Sequence, residues 1–258
     1  MLGKNSRRFF TLAKIRPVIQ GIFMIFFIVL FIRMSYPFHQ DFTKNFFFNF
    51  DPLIAFSIIL SGTAVMTGLL VSVVTVVLTV LFGRVFCGWV CPMGAVQHFV
   101  YRKETGKKRK FFNVGPRLHN VLRYGKYVVL VALIIVVVVT QTKVCERIDP
   151  FKALFNIQLV LIPTSILVVL MAVSLVIGFP WCKYVCPLGA FLALFSKFTL
   201  FKVKIGDKCT NCKACHMVFC DYMAIKPGEV KPEINQLECT RCGECISRCP
   251  YNAMEFTV

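Results

Sequence analysis

The longest uncharged stretch of the chain, residues 53–82, contains no Asp, Glu, Lys or Arg. A transmembrane helix needs roughly 20 predominantly apolar residues, so this stretch is long enough to cross a bilayer. Three further stretches, 17–36, 124–143 and 157–181, are predominantly apolar, and Pro163 is expected to kink the last of them. With 57% hydrophobic and 16% charged residues, the composition excludes a soluble globular or disordered chain. It predicts a mainly α membrane protein with four transmembrane helices.

The formal net charge of +18 is concentrated in the loops beside these stretches. Residues 1–206 carry 24 Lys and Arg against 5 Asp and Glu, whereas residues 207–258 carry 6 against 7. Most of the basic residues lie before the first stretch and in residues 83–126 and 183–206, among them Arg16 and Arg84. Because basic loops are retained on the cytoplasmic side, both termini are predicted to be cytoplasmic.

The run Lys-Lys-Arg-Lys at residues 107–110 is the densest basic segment of the chain. It is assigned to membrane lipid headgroups, since no nucleic-acid recognition element accompanies it. The first apolar stretch lacks a small-residue cleavage site after its apolar core, so it is expected to be retained as a span. The protein is therefore predicted to be a multi-pass membrane protein with no nucleic-acid partner.

The region 1–206 contains an internal repeat, in which an Asp-Pro pair is followed by an apolar stretch and a Cys-x3-Cys-Pro motif. The pairs are Asp51-Pro52 and Asp149-Pro150, and the motifs are Cys87-x3-Cys91-Pro92 and Cys182-x3-Cys186-Pro187. Two helices in each copy predict two parallel pseudo-repeats, with both motifs at cytoplasmic helix ends. Cysteines four residues apart project from one helical face, and proline suits the first position of a new helix.

The four cysteines of these motifs, Cys87, Cys91, Cys182 and Cys186, leave three roles open. They are structural thiols, a further metal or iron–sulfur site, or a dithiol that cycles with a disulfide. A permanent disulfide is not expected on the cytoplasmic side of a membrane.

The region 207–258 contains eight of the 13 cysteines. Its second run, Cys239-x2-Cys242-x2-Cys245-x3-Cys249-Pro250, has the spacing of a bacterial ferredoxin, in which the fourth cysteine ligates the other cluster. The region is therefore predicted to form a small ferredoxin-like α+β domain with two 4Fe-4S clusters.

The first run, Cys209-x2-Cys212-x2-Cys215-x4-Cys220, is one residue longer than that spacing, and Asp221 replaces the final proline. Crossed ligation assigns Cys209, Cys212, Cys215 and Cys249 to one cluster and Cys239, Cys242, Cys245 and Cys220 to the other. The extra residue makes Cys220 the least certain ligand, and a bulge in the short helix before it is expected to absorb the insertion.

Two other cofactors use related spacings. Zinc binds through Cys-x2-Cys pairs, but triplets of cysteines with a remote fourth fit two clusters better than sites of four thiolates each. Cys212-x2-Cys215-His216 also matches the attachment pattern of haem c. That pattern overlaps the ferredoxin triplet and lies on the predicted cytoplasmic side, so haem c is not expected.

These features together resemble the NapH-type membrane iron–sulfur proteins and the membrane part of the NosR-type proteins. The resemblance rests on the four spans, the two Cys-x3-Cys-Pro motifs and the run from Cys239 to Pro250. It implies a bacterial cytoplasmic membrane and a quinol dehydrogenase-like electron-transfer subunit, in which quinol is oxidised and electrons reach an iron–sulfur protein or a cytochrome.

Two alternatives stay open at this point. A CcoG-like factor would use its thiols to assemble or maintain another membrane redox enzyme, and ferredoxin-driven electron entry would reverse the direction of flow. No residue is assigned a catalytic role. The candidates for taking up protons from quinol are His39, Asp41, Asp51, Glu146, Asp149, His98 and His119. Two tryptophans, Trp89 and Trp181, are assigned to an interfacial belt.

Overall fold

The structure is a computed structural model that describes residues 5–35, 66–104, 115–140, 161–212, 215, 220–229 and 231–257. Most of this part of the chain is helical. The helices are α1 (Asn5–Ser35), α2 (Met66–Phe82), α3 (Pro92–Glu104), α4 (Pro116–Leu122), α5 (Gly125–Thr140), α6 (Leu161–Val176), α7 (Pro187–Phe195) and α8 (Glu244–Arg248). The strands are β1 (Lys202–Ile205), β2 (Ile225–Lys226), β3 (Glu233–Ile234) and β4 (Met254–Thr257).

Each of the four predicted spans overlaps a described apolar helix, namely α1, α2, α5 and α6 in chain order. Within the described residues one helix, Arg117–Val139, is long and apolar enough to cross a membrane. Shorter apolar helices are Ile15–Leu30, Val73–Phe82, Ser165–Leu175 and Pro187–Phe198. The two Asp-Pro pairs, the run at 107–110 and the five candidate residues from His39 to Asp149 lie outside the described residues.

These helices carry large apolar side chains on their surfaces. On α5, Val128 is 67% exposed and Val139 is 76% exposed, and on α1 the side chains of Val18, Ile22 and Ile25 are 60–63% exposed. A helix on the surface of a soluble protein has polar residues on its outer face. The apolar outer faces of α1 and α5 therefore suit contact with lipid.

The chain divides into two compact units, each described here by itself. The first consists of Met1–Met24, Leu78–Ala95 and Leu192–Val258, and the second of Ile25–Val77 and Val96–Phe191. The first unit therefore contains Cys87, Cys91 and all eight cysteines of the C-terminal runs. The second unit contains Cys182 and Cys186.

Both Cys-x3-Cys-Pro motifs adopt the same local structure. A single π-helical turn, Phe86–Val90 or Trp181–Val185, contains the first cysteine. The second cysteine closes the turn with a 2.9 Å hydrogen bond from its N–H to a backbone oxygen five residues earlier. Its own backbone is extended, with ψ of 120° at Cys91 and 111° at Cys186, and the proline begins α3 or α7. The new helix start was predicted correctly, whereas a regular α-helical face through both cysteines is wrong.

Two antiparallel ribbons frame the C-terminal cysteine runs. β1 pairs with β4, with Ile205 opposite Met254, and β2 pairs with β3. One further backbone hydrogen bond continues each ribbon beyond its paired strands. The N–H of Gly206 donates to the carbonyl of Ala253 over 2.7 Å, and the N–H of Asn235 donates to the carbonyl of Ala224 over 2.8 Å. The arrangement is the predicted α+β architecture.

A small apolar core lies between these ribbons. Val203, Ile225, Ile246 and Met254 are each at most 4% exposed, and they contact Cys215, Cys220, Cys239 and Cys245. These four residues belong to β1, β2, α8 and β4. Side chains from three strands and one helix therefore position the cysteines.

In the second unit, the second π-helical turn packs against α4 and α5. The hydroxyl of Tyr184 and Nδ1 of His119 are 3.0 Å apart, and Leu130 packs against Ala190. Burial raises the pKa of Tyr184 to about 12, so its hydroxyl keeps its proton at neutral pH. His98 stacks on Phe179 with a centroid distance of 6.3 Å.

Candidate functional site

Four cysteines line a single cavity near the surface of the first unit. Cys209, Cys212, Cys215 and Cys249, here called the first quartet, line this cavity together with residues such as Tyr251. Cys212 is exposed and Tyr251 is 49% exposed. One edge of this cavity is therefore open to the surroundings.

A second cavity is lined by the other four cysteines of these runs. Cys220, Cys239, Cys242 and Cys245, here called the second quartet, are enclosed with apolar groups that include Ile225. Each cavity thus combines three cysteines of one run with the last cysteine of the other. This is the grouping that the crossed pattern of ligation requires.

The two runs share their backbone conformation as well as their spacing. Asn211 and Arg241, each two residues after the first cysteine of a run, both have a φ of 51°. Met223 and Asn252, each three residues after the last cysteine, have φ values of 51° and 48°. Positive φ is uncommon for residues other than glycine, so its recurrence at matched positions shows that both loops wrap their cavities in one way.

Cys220 occupies the same local environment as Cys249 despite the longer spacing before it. The N–H of Ala224 donates to Sγ of Cys220 over 3.2 Å, and the N–H of Ala253 donates to Sγ of Cys249 over 3.4 Å. Residues 216–219, in which the predicted bulge falls, lie outside the described residues. The extra residue therefore leaves the placement of the Cys220 thiol unchanged relative to its counterpart.

Burial makes the thiols of the second quartet hard to ionise without a bound cation. It raises the pKa of Cys220 to about 12 and is the main cause of the raised pKa values of Cys239 and Cys242. The pKa of Cys245 is raised well above its usual value by burial and then by nearby thiols, which include Cys215 of the first quartet. A coordinated metal deprotonates such thiols outright. The two quartets are neighbours, because Cys215 of the first and Cys245 of the second pack against the same apolar core.

The shape of the quartets suits clusters better than single ions. A zinc ion requires its sulfur ligands about 2.3 Å from one point, and among the described residues no three His, Cys, Asp or Glu side chains converge in that manner. In a cubane cluster each thiolate binds a different iron, so the sulfurs stand farther apart around a larger volume. Two cavities, each with four thiols on its wall, fit that requirement.

The loop of the second quartet packs directly on the first membrane cysteine motif. The indole N–H of Trp89 donates to the carbonyl of Arg241 over 3.2 Å. A Cβ atom at Gly88 would lie 2.8 Å from the carbonyl oxygen of Thr240. The backbone between Cys87 and Cys91 is therefore in contact with the backbone between Cys239 and Cys242. The indole N–H of Trp89 thus bonds within the unit, and the interfacial role of Trp89 stays a prediction.

Three arginines are buried around this contact, and sequence reasoning missed their role. Arg16 and Gln20 both donate to the carbonyl of Gly88, over 3.2 and 2.9 Å. Arg84 donates to the carbonyl of Leu237 over 3.1 Å. Arg16 and Arg84 are each 1% exposed, so both act within the fold and not only as charges of basic loops. The available signal was the spacing of Arg16 and Gln20, which lie four residues apart on α1 and therefore share a face of the helix.

Arg241 is the third of these arginines and lies inside the loop of the second quartet. Its Nε donates to the carbonyl of Phe201 over 2.8 Å, and its Nη1 donates to the carbonyl of Cys239 over 3.0 Å. Its guanidinium lies against Gly83, where any side chain would collide with it. Glycine at position 83 thus makes room for a charged group beside the cysteines.

Two family models match the chain. One, described as a 4Fe-4S binding domain, matches residues 64–111 and 160–206, each of which contains a Cys-x3-Cys-Pro motif. A second 4Fe-4S binding domain matches residues 232–255, which contain the run from Cys239 to Cys249. The chain therefore carries 4Fe-4S binding domains in both of its regions.

Several proteins are similar to this chain over most of its length. The uncharacterized protein MJ0750 of Methanocaldococcus jannaschii is 37% identical over 187 residues, which are 72% of this chain and 76% of MJ0750. The ferredoxin-type protein NapH of Haemophilus influenzae is 27% identical over 198 residues, 72% of this chain and 66% of NapH. The regulatory protein NosR of Stutzerimonas stutzeri is 34% identical over 176 residues, 64% of this chain and 23% of NosR. No solved structure matches the chain.

The cysteine cavities and these matches define an electron-transfer iron–sulfur protein. The chain belongs to the same family as MJ0750, and it is similar to the NapH-type membrane iron–sulfur proteins. The resemblance to NapH-type and NosR-type proteins that the motifs predicted is confirmed.

Replacing Gly88 by alanine is expected to disturb the contact between the first membrane motif and the second quartet. The added Cβ meets a backbone oxygen that no side-chain rotation can move, so we expect a loss of about 1–3 kcal/mol in stability. Thermal unfolding in detergent, followed by circular dichroism, measures it. Gly21→Ala is the matched control, because nothing lies within 4 Å of a Cβ at Gly21. Equal unfolding midpoints for the two variants would contradict the contact.

Proposed function

We propose that the protein is a membrane-bound electron-transfer subunit that links the quinone pool to two 4Fe-4S clusters and a redox partner protein. The observation that carries the proposal is the contact between the loop of the second quartet and the Cys87–Cys91 motif. It connects a site for a one-electron carrier to the helices that face lipid. The oxidoreductase activity belongs to the complex in which this subunit works.

In this proposal each quartet ligates one cluster through four thiolates. A 4Fe-4S cluster supplies reversible electron transfer at a potential set by its surroundings. The chain contributes the ligands, the N–H donors of Ala224 and Ala253, and an apolar wall of Val203 and Ile225 at the second quartet. Cys215 and Cys245 pack against the same apolar core, which holds the two sites close together for electron exchange.

The two quartets serve opposite ends of the electron path. The exposed Cys212 and Tyr251 open the first quartet toward a soluble or peripheral partner, an iron–sulfur protein or a cytochrome. The second quartet faces the first membrane motif through Trp89 and Gly88. We therefore place the partner at the first quartet and the membrane end at the second.

We further propose that residues 1–206 form four transmembrane helices in two parallel pseudo-repeats and that residues 207–258 form a cytoplasmic ferredoxin-like domain. The common π-helical turns of the two motifs support the pseudo-repeats. The excess of Lys and Arg in alternate loops supports cytoplasmic termini in a bacterial inner membrane.

Quinol oxidation also requires groups that accept protons. Among the described candidates, His119 shares a hydrogen bond with Tyr184 of the second motif, and His98 is buried against Phe179 and 6% exposed. If quinol is the electron donor, we assign the uptake of its protons to His98 and His119 of the second unit.

A thiol-dependent assembly factor is the second candidate, and burial argues against it. Cys87 and Cys182 are 7% and 6% exposed and Cys91 and Cys186 are half-buried, whereas thiols that exchange with other proteins are accessible. The membrane cysteines are better suited to a structural role or to a further iron–sulfur site than to disulfide exchange.

Iron and acid-labile sulfide analysis of anaerobically purified protein tests the cluster assignment. We expect about eight iron per chain, and about four in Cys220→Ser/Cys242→Ser, which removes two ligands of the second quartet. Cys145 lies between the third and fourth predicted spans and belongs to neither quartet and neither membrane motif. Cys145→Ser is therefore the matched control and is expected to keep the full content. Zinc without labile sulfide would contradict the assignment. Content above eight that falls in Cys87→Ala/Cys182→Ala would place a further cluster at the membrane motifs.

Labelling of intact cells tests the membrane orientation. A membrane-impermeant maleimide is expected to label Cys145 from outside, because the loop that contains it is the predicted outer connection, and Cys145→Ser should lose the label. A protease is expected to remove a tag after Val258 only in inverted vesicles. Removal of the tag in right-side-out vesicles would overturn cytoplasmic termini.

Anaerobic mixing with a water-soluble quinol tests the link to the quinone pool. We expect the visible absorbance of the oxidised clusters to bleach, and dithionite defines complete reduction. The reverse reaction, reoxidation of the reduced protein by the matching quinone, tests ferredoxin-driven entry. Reduction by dithionite without any reaction with quinol or quinone would exclude both directions of the proposed link.

A further inference from the structure

Arg16 carries a buried positive charge that its hydrogen bonds do not neutralise. The side chain is 1% exposed, and its Nε donates to the carbonyl of Gly88 over 3.2 Å. Within the described residues neither of its Nη atoms has a hydrogen-bond partner. Because burying an unpaired charge is costly, such a residue is retained where a negative group makes use of it.

The negative group that the geometry offers is the second quartet. Gly88, which Arg16 contacts, packs against Thr240 between Cys239 and Cys242. Cys242 of the second quartet lies within electrostatic range of the Arg16 guanidinium. The guanidinium therefore lies within electrostatic reach of a ligand thiolate, on the side that faces the first membrane motif.

Two other arginines lie around the second quartet. Arg84 is paired with a carboxylate, since its Nη1 lies 3.4 Å from Oε2 of Glu238. Arg241 donates to two backbone carbonyls from inside the loop and, like Arg16, has an Nη atom without a hydrogen-bond partner within the described residues. Arg16 differs from both because it approaches the quartet through Gly88 of the first membrane motif.

We propose that Arg16 raises the reduction potential of the cluster at the second quartet. Adding one electron makes that site more negative by one charge, and a fixed buried cation stabilises the reduced form more than the oxidised form. Guanidinium keeps its charge in proteins, so the effect does not depend on pH near neutrality. This inference rests on the proposed function, since it requires that the second quartet holds a cluster.

Redox titration of the purified protein, followed by EPR, tests the proposal. In Arg16→Gln we expect the ratio of reduced to oxidised second cluster at a fixed potential to fall about tenfold, equivalent to about 59 mV for a one-electron couple. The potential of the first cluster should stay unchanged. Arg16→Lys keeps the charge and is expected to retain most of the wild-type potential.

Gln20→Ala is the control for a merely structural role of this contact. It removes the other side-chain donor to the Gly88 carbonyl without changing charge, so the second potential should stay near that of the wild type. Lys208→Gln removes an exposed charge next to Cys209 and is expected to have little effect on either potential because solvent screens it.

The outcomes separate this inference from the function on which it rests. Absence of iron from the wild-type protein overturns both. Full iron content with an unchanged second potential in Arg16→Gln, or an equal fall in Gln20→Ala, overturns the role of Arg16 alone. Loss of the second cluster in Arg16→Gln but not in Arg16→Lys supports a requirement for the charge, and its loss in both variants contradicts it.

Discussion

The carbonyl group of Gly88 is the point on which the first unit depends. Two side chains of one helix, Arg16 and Gln20, donate to it, while the α-carbon beside it touches the loop of the second quartet at Thr240. A side chain at position 88 would push the Cys87–Cys91 motif away from the loop of the second quartet. Because glycine has no side chain, α1, the motif and this loop meet at one place, where the carbonyl of Gly88 accepts hydrogen bonds.

The cysteine cavities show how far spacing alone can predict a site. The spacing assigned each of the eight cysteines to one of two groups, and the same two groups line the two cavities. Cys220 was the doubtful member, yet its bond from Ala224 matches the bond from Ala253 to Cys249. Local sequence sufficed here because each loop carries its own turn geometry, which the extra residue between Cys215 and Cys220 does not alter.

The arginines and Trp89 could not be predicted in this manner. In sequence, Arg16 and Arg84 look like the basic flanks of apolar spans, and Trp89 looks like an interfacial anchor. Their roles depend on contacts between segments more than 60 residues apart, such as that from Arg16 to Gly88, for which the separation is 72. The helix periodicity of Arg16 and Gln20 marks a polar face, but only the tertiary structure identifies what that face meets.

The exchange of the last cysteine between the two runs has a consequence for biosynthesis. The wall of the first cavity includes Cys249, and that of the second includes Cys220 together with residues from 239 onward. Neither cavity can close while only the first run has left the ribosome. Both sites become complete within the synthesis of the same short segment, so cofactor insertion must wait for a nearly finished domain and cannot proceed one run at a time.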